Sequence, residues 1–144
     1  MDIQYKALSC VDPSPRLTRL FRELTGREEM TPDTERINSL IAEGKLGFYT
    51  AWLDGNLVGM TSIVPCRTAQ SDKLWIEDVA VLSECRGLGI GRALLSFAMD
   101  DAAQRFFKGT FWLTSRPSRE AARKLYASMG FEPYDTAVFF KCAD

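Results

Sequence analysis

The stretch that most constrains this chain runs from Ile76 to Leu95. It opens as Ile76-Glu77-Asp78-Val79-Ala80-Val81, crosses a short connection, and continues as Arg86-Gly87-Leu88-Gly89-Ile90-Gly91-Arg92 into Ala93-Leu94-Leu95. Frequent β-branched residues and the lack of turn formers make the first part a buried strand. The last part reads as a helix opened by glycines. Between them the backbone must turn tightly, and glycine at alternate positions strips side chains from it. Such a turn leaves N–H groups pointing outward at the positive end of a helix dipole. That is the chemistry of an anion site, and a phosphate or pyrophosphate is its natural guest.

Two nucleotide patterns fail on spacing. A Rossmann turn needs G-x-G-x-x-G, yet the position of the third glycine is Arg92, and the next strand ends in Thr114-Ser115 with no acid to hold a ribose. No Gly-Lys-Ser/Thr follows, so the P-loop reading fails as well.

Arg86-Gly87-Leu88-Gly89-Ile90-Gly91 instead resembles the R/Q-x-x-G-x-G/A acetyl-CoA loop of the GNAT superfamily of N-acetyltransferases, and Val79-Ala80-Val81 resembles the end of that family's fourth strand. Downstream, Ala122-Arg123-Lys124-Leu125-Tyr126-Ala127-Ser128-Met129-Gly130-Phe131 resembles its A-x-x-L-Y-x-x-x-G-F segment. Two motifs in the right order are far more specific than either alone. The resemblance implies transfer of an acetyl group from acetyl-CoA to a primary amine, directly and in a ternary complex. It implies a diphosphate held on the backbone of Gly87, Leu88, Gly89, Ile90, Gly91 and Arg92, with Arg86 and Arg92 adding charge. It assigns the Val79-Ala80-Val81 backbone to the pantetheine arm, and Tyr126 to protonation of the leaving thiolate. Many family members carry a cofactor-binding asparagine where this chain has Arg119.

Acetyl transfer also needs a neutral amine, hence a base. The chain has no histidine, so Glu77 and Asp78 are the candidates, both near the acceptor. Strand alternation sends neighbours to opposite faces. On that reading Glu77 shares a face with Val79 and Val81 and is the expected base, unless a bulge alters the count. Ile76-Glu77-Asp78-Val79 and Phe21-Arg22-Glu23-Leu24-Thr25-Gly26 also resemble amino-sugar-phosphate acetyltransferases, so a small-molecule amine is the expected partner. The rival reading is a catalytically silent acyl-CoA-binding module or sensor.

At 144 residues with a net charge of -1, one domain over 1–144 is expected, with no pull toward nucleic acid or anionic membrane. Four cysteines without a C-x-x-C pair argue against a metal and against a disulfide framework. Neither a signal peptide nor a run of about 18 apolar residues is visible, so a cytoplasmic setting is expected. A homodimer, common in the family, is compatible with this.

The remaining pattern is β-α-α-β-β-β-α-β-α-β-β. It comprises a strand at 3–9, a helix capped by Ser14-Pro15, a second opened by Thr31-Pro32, and a hairpin about Asp54-Gly55 whose second strand stops at Pro65. There follow the central strand, a helix over 90–107, a strand at 110–114, a helix from Pro117-Ser118, and two β segments around Tyr134-Asp135. Arg16, Arg19 and Arg22 share one side of the first helix, which reads as a solvated face. The fold expected is α/β (α+β): a mixed, mostly antiparallel GNAT-type sheet with one parallel β-α-β unit and helices on both faces, its fourth and fifth strands splayed.

Overall fold

The computed structural model describes residues 1–143, and the chain divides into two compact units, Met1–Leu113 and Thr114–Asp144. The first unit contains β1 (Ile3–Leu8), α1 (Pro15–Thr25), α2 (Thr34–Ala42), β2 (Gly47–Leu53), β3 (Asn56–Arg67) and β4 (Asp72–Val81). A single 3-10 turn over Ser83–Cys85, α3 (Ile90–Arg105) and β5 (Thr110–Trp112) complete it. The sheet order is β1-β2-β3-β4-β5, antiparallel throughout except for the parallel pair β4/β5. The expected mixed sheet is therefore present.

Local chemistry sets the element ends. Ser14 Oγ accepts from Leu17 N at 3.1 Å with Pro15 at the first helical position, and Gly26 closes α1 at φ 69°. For α2 the cap is Asp33 rather than Thr31, because the Asp33 carboxylate reaches Arg36 N at 3.0 Å. Asp54 and Gly55 both adopt positive φ, 50° and 82°, the two-residue turn whose twist matches a hairpin. β3 does not stop at Pro65 but runs on to Arg67. Its neighbour β2 ends at Gly47, opposite Ile63, so on that side Pro65 has no strand to which an N–H would donate.

β2 and β3 are buried almost throughout, which requires cover on both faces. α3 lies on one face, where Phe97 packs 6.2 Å from both Tyr5 and Tyr49 and Leu94, Leu95, Ala98 and Ala102 are buried. The buried Tyr49 hydroxyl donates to Asp101 Oδ2 at 2.8 Å, and Arg105 Nε donates to the same oxygen at 2.9 Å. α1 packs Leu17, Leu20 and Phe21 against β3 and β4 from the other face.

The second unit is smaller. Its α4 (Glu120–Ser128) starts later than Pro117-Ser118 implied, because Arg119 N bonds Arg116 O at 3.0 Å and closes a turn first. The two β segments expected around Tyr134-Asp135 are absent among the described residues. The apolar run Ala137-Val138-Phe139-Phe140 is suited to a strand, but a strand exists only where a neighbour completes its ladder, and none of the described residues does so here. Val138, Phe139 and Phe140 are instead 76%, 91% and 93% exposed.

Candidate active site

β4 departs from a regular strand where the chemistry is expected. Ser62 pairs with Glu77 and Met60 with Ala80, so Asp78 and Val79 together oppose the single residue Thr61. This is a β-bulge with the extra residue on β4. Asp78 takes φ 55°, a left-handed backbone that aspartate tolerates better than most side chains. Thr61 Oγ1 donates to Glu77 O at 3.0 Å and holds the carbonyl next to the distortion.

The bulge overturns the expectation that Glu77 shares a face with Val81. Residues directly opposite in a sheet share a face. Glu77 thus goes with Ser62, Met60 and Ala80, whereas Val81 pairs with Gly59 on the α3 side, where an added Cβ would meet Leu94 Cδ2 at 3.5 Å. Glu77 projects to the opposite face and is exposed, with Asp78 half-buried beside it. Partial loss of water, and then the Asp78 charge, raise the Glu77 pKa above the usual carboxylate value. Ser62, its cross-strand partner, is 1% exposed and its Oγ has no hydrogen-bond partner. Two residues back on the same face, Trp75 packs against Trp112 with ring centroids 5.7 Å apart. Sequence reading singled out none of Thr61, Ser62 or Trp75, since only cross-strand register brings them to the site.

The β4/β5 ladder covers three rows and ends at Trp75↔Trp112, while β4 continues to Val81. The β5-facing edge of residues 76–81, which the family resemblance gives to the pantetheine arm, therefore pairs with no strand among the described residues. Arg86 Nε donates to Val81 O at 3.1 Å, which pins that side chain across the mouth of the turn.

The turn is open. Leu82 N bonds Val58 O at 2.9 Å and the buried Cys85 anchors the 3-10 turn, after which residues 86–89 are exposed. Gly87 and Gly89 have φ 79° and 78°, and a Cβ on either would meet nothing within 4 Å, so glycine is needed for conformation and not for space. Gly89 caps α3 without any side-chain cap bond. Ile90 is 2% exposed and Leu88 47% exposed, so Ile90 anchors the turn in the core and faces a ligand only through its backbone. Arg92 is exposed on the first turn of α3, directly after Gly91 in the same helix.

The arginines of α1 are all exposed, as a solvated face requires, and each also makes hydrogen bonds to other parts of the chain. Arg16 Nη1 donates to Leu57 O at 3.2 Å and Arg22 Nε to Met30 O at 2.9 Å. Arg19 grips Glu84 with both terminal nitrogens, Nη1 to Oε2 at 2.5 Å and Nη2 to Oε1, and its Nη2 also reaches Ser83 Oγ at 3.4 Å. The hydrogen bonds from Arg19 hold the Glu84 carboxyl down to about 2. Sequence could not join Arg19 and Glu84, which lie 65 residues apart.

Tyr126 and Arg119 belong to the second unit. Tyr126 is half-buried on α4, edge-on to Phe131 at 6.0 Å, and Gly130 follows the helix at φ 94°. Desolvation raises the Tyr126 pKa, with the Arg119 charge acting in the opposite direction. Arg119 stands at the α4 N-cap, exposed, with no side-chain cap bond. Among the described residues no cluster of His, Cys, Asp or Glu is arranged to hold a metal ion, and no helix is long and apolar enough to cross a membrane.

These features coincide with comparisons to known proteins. The sequence profile of the Acetyltransferase (GNAT) family matches residues 14–131. The chain is 24% identical over 134 residues to the uncharacterized N-acetyltransferase YjgM of Escherichia coli, covering 87% of this chain and 80% of that protein. It is 34% identical over 112 residues to the probable N-acetyltransferase camello of Xenopus laevis, covering 78% of this chain and 49% of the relative. A streptothricin acetyltransferase from Streptomyces lavendulae is 36% identical over 84 residues, or 58% of this chain and 43% of that one. The chain thus spans about half the length of the last two relatives. The fold matches an aminoglycoside acetyltransferase from a soil metagenomic sample, solved with sisomicin, at TM-score 0.78 and 18% identity over 98% of this chain and 95% of that one. It also matches a "predicted acetyltransferase" of Clostridium acetobutylicum solved with acetyl-CoA, at TM-score 0.76 and 18% identity over 97% and 96% of the two chains. The chain belongs to the GNAT acetyltransferase family, whose members use acetyl-CoA.

Proposed function

We propose that this chain moves the acetyl group of acetyl-CoA onto a primary amine of a small molecule, directly and without an acyl-enzyme. The observation that carries the reading is the pairing of two features on adjoining pieces of backbone: the uncapped glycine turn into α3 and the bulge that turns Glu77 away from α3. The turn supplies N–H groups and dipole for the diphosphate. Arg86 and Arg92 add positive charge, and the open β4 edge at Val79-Ala80-Val81 takes the pantetheine amides. An N–H near Val79 donates to the thioester oxygen as it becomes anionic.

Glu77 accepts the amine proton, directly or through one water. A carboxylate with a raised pKa is the stronger base, provided the pH stays above that pKa. Tyr126, its pKa raised by desolvation, stays protonated at neutral pH and can hand its proton to the departing thiolate. Bond-making at nitrogen and bond-breaking at sulfur then need no covalent intermediate, and much of the rate comes from alignment. The half-exposed Trp75, on the face of Glu77, offers an apolar wall for the acceptor. Small-molecule acceptors are favoured by the likeness to aminoglycoside and streptothricin acetyltransferases.

Calorimetric titration with acetyl-CoA, followed by addition of a panel of amines while free thiol is measured, tests the proposal. Binding with thiol release on a small amine supports it. Binding with no release on any amine makes the chain an acyl-CoA-binding module, and absence of binding removes the reading of residues 86–92.

A further inference from the structure

The Arg19–Glu84 pair joins α1 to the residues that lead into the glycine turn. Glu84 stands three residues before Gly87, and a chain spans at most about 3.6 Å per residue. The two Cα atoms thus lie no more than about 11 Å apart, a distance comparable to the Debye length of about 8 Å at physiological salt. A carboxylate there opposes a diphosphate. The turn's own Arg86 is engaged with the Val81 carbonyl. Arg19 comes from another element, and its planar fork meets the two Glu84 oxygens side by side while Nη2 also reaches Ser83 Oγ. Glu23 Oε1, one helical turn along α1, stands 3.6 Å from Arg19 Nη2 and steadies the guanidinium from behind.

We propose that Arg19 is a positioning residue for the cofactor: it engages and neutralises the Glu84 carboxylate at the mouth of the glycine turn, so that the turn presents a net positive field to the diphosphate. The inference rests on the reading of residues 86–92 as the diphosphate site. Arg19 itself touches no cofactor; it acts through Glu84.

The test is steady-state kinetics of the full chain with Arg19→Ala, Glu84→Gln, the double variant and Arg19→Lys, using acetyl-CoA and, in parallel, acetyl-pantetheine, which lacks the diphosphate. Arg19→Ala should raise KM for acetyl-CoA by about fivefold, as loss of a charge at a binding rim does, with kcat little changed. The effect should shrink toward nothing at about 0.5 M salt. Glu84→Gln should leave KM at or below the wild-type value, and Glu84→Gln should restore KM in the Arg19→Ala background. Arg19→Lys, which keeps the charge, should fall between. None of these changes should alter KM for acetyl-pantetheine. A rise in KM with Glu84→Gln equal to that with Arg19→Ala would show a mechanical clamp and overturn the proposal, as would failure of the double variant to recover. A wild-type protein that uses both donors equally well would overturn the diphosphate reading itself, a result separate from any behaviour of Arg19. Thermal melts of each variant separate these outcomes from loss of fold.

Discussion

Two aspartates in this molecule hold left-handed backbone, and they do so for different ends. Asp54 sits at the tip of the β2/β3 hairpin with φ 50°, followed by Gly55 at 82°. There the conformation is what a tight hairpin requires, and the ends are closed: Asp54 Oδ1 accepts from Asp2 N at 2.9 Å and Asp54 N donates to Asp2 O at 2.7 Å. Asp78, at φ 55°, lies inside a strand, where nothing about chain reversal calls for it. It interrupts a ladder that would otherwise be continuous. The glycines divide the same way: Gly55 turns a chain back onto its own partner strand, whereas Gly87 and Gly89 turn one outward toward solvent. One backbone device closes polar groups in the first region and leaves them presented in the second. Distortion without a structural motive, beside a carboxylate of raised pKa, is the stronger pointer to chemistry.

The sharpest way to break this contrast is at Glu77. Glu77→Gln should lower kcat about 100-fold, the usual worth of a positioned general base, with the melting temperature unchanged. Stopped thiol-release assays beside a melt will read both, and a full-rate variant would leave the bulge without a catalytic purpose. Tyr126→Phe comes next, with kcat down about tenfold and the calorimetric affinity for acetyl-CoA unaltered, since the phenol is asked only to give a proton.

Alanine at the turns tests the glycines in pairs. Gly55→Ala and Gly89→Ala should each cost about 1 kcal/mol in urea unfolding, the penalty for a Cβ in left-handed backbone. Only Gly89→Ala should also weaken acetyl-CoA binding. The smallest effect is in pH. The base form of Glu77 fills as pH rises through its raised pKa, so the acidic limb of kcat should lie above the ordinary carboxylate value of 4.5. Asp78→Asn removes a neighbouring negative charge and should move that limb down by a few tenths of a unit, while Asp54→Asn should leave it in place. The same raised pKa favours folding of the protonated form. Glu77 therefore contributes stability at pH below 4.5 that is lost as pH rises through its folded value.

Features set within a few residues were legible in the sequence. The Ser14-Pro15 cap, the Asp54-Gly55 hairpin, the glycine turn and the parallel β4-α3-β5 unit all follow from local composition and spacing. What escaped was set by partners far away along the chain. The bulge depends on how many β3 residues lie opposite β4, so alternation misplaced Val81 relative to Glu77. Pro65 looks like a strand end until it is clear that β2 has already stopped beside it. The arginines of α1 form the exposed stripe their spacing suggests, but their partners Glu84 and the Leu57 carbonyl come from other elements and could not be read there. The tail from Phe131 to Lys141 predicted two β segments around Tyr134-Asp135 because it carries the right side chains, but no pattern within a segment can supply the neighbouring strand.

The extra residue in β4 has a consequence for how the site is encoded. Were the same ten residues to continue the Ser62↔Glu77 pairing as an unbroken ladder, Ala80 would face Gly59 and Val81 would face Val58, which puts Val81 on the face of Glu77. The placement of the acid relative to Val81 thus depends on a count: two residues of β4 stand opposite the single residue Thr61. A change that straightened this ladder without touching a functional group would bring the acid and Val81 to one face and undo the arrangement.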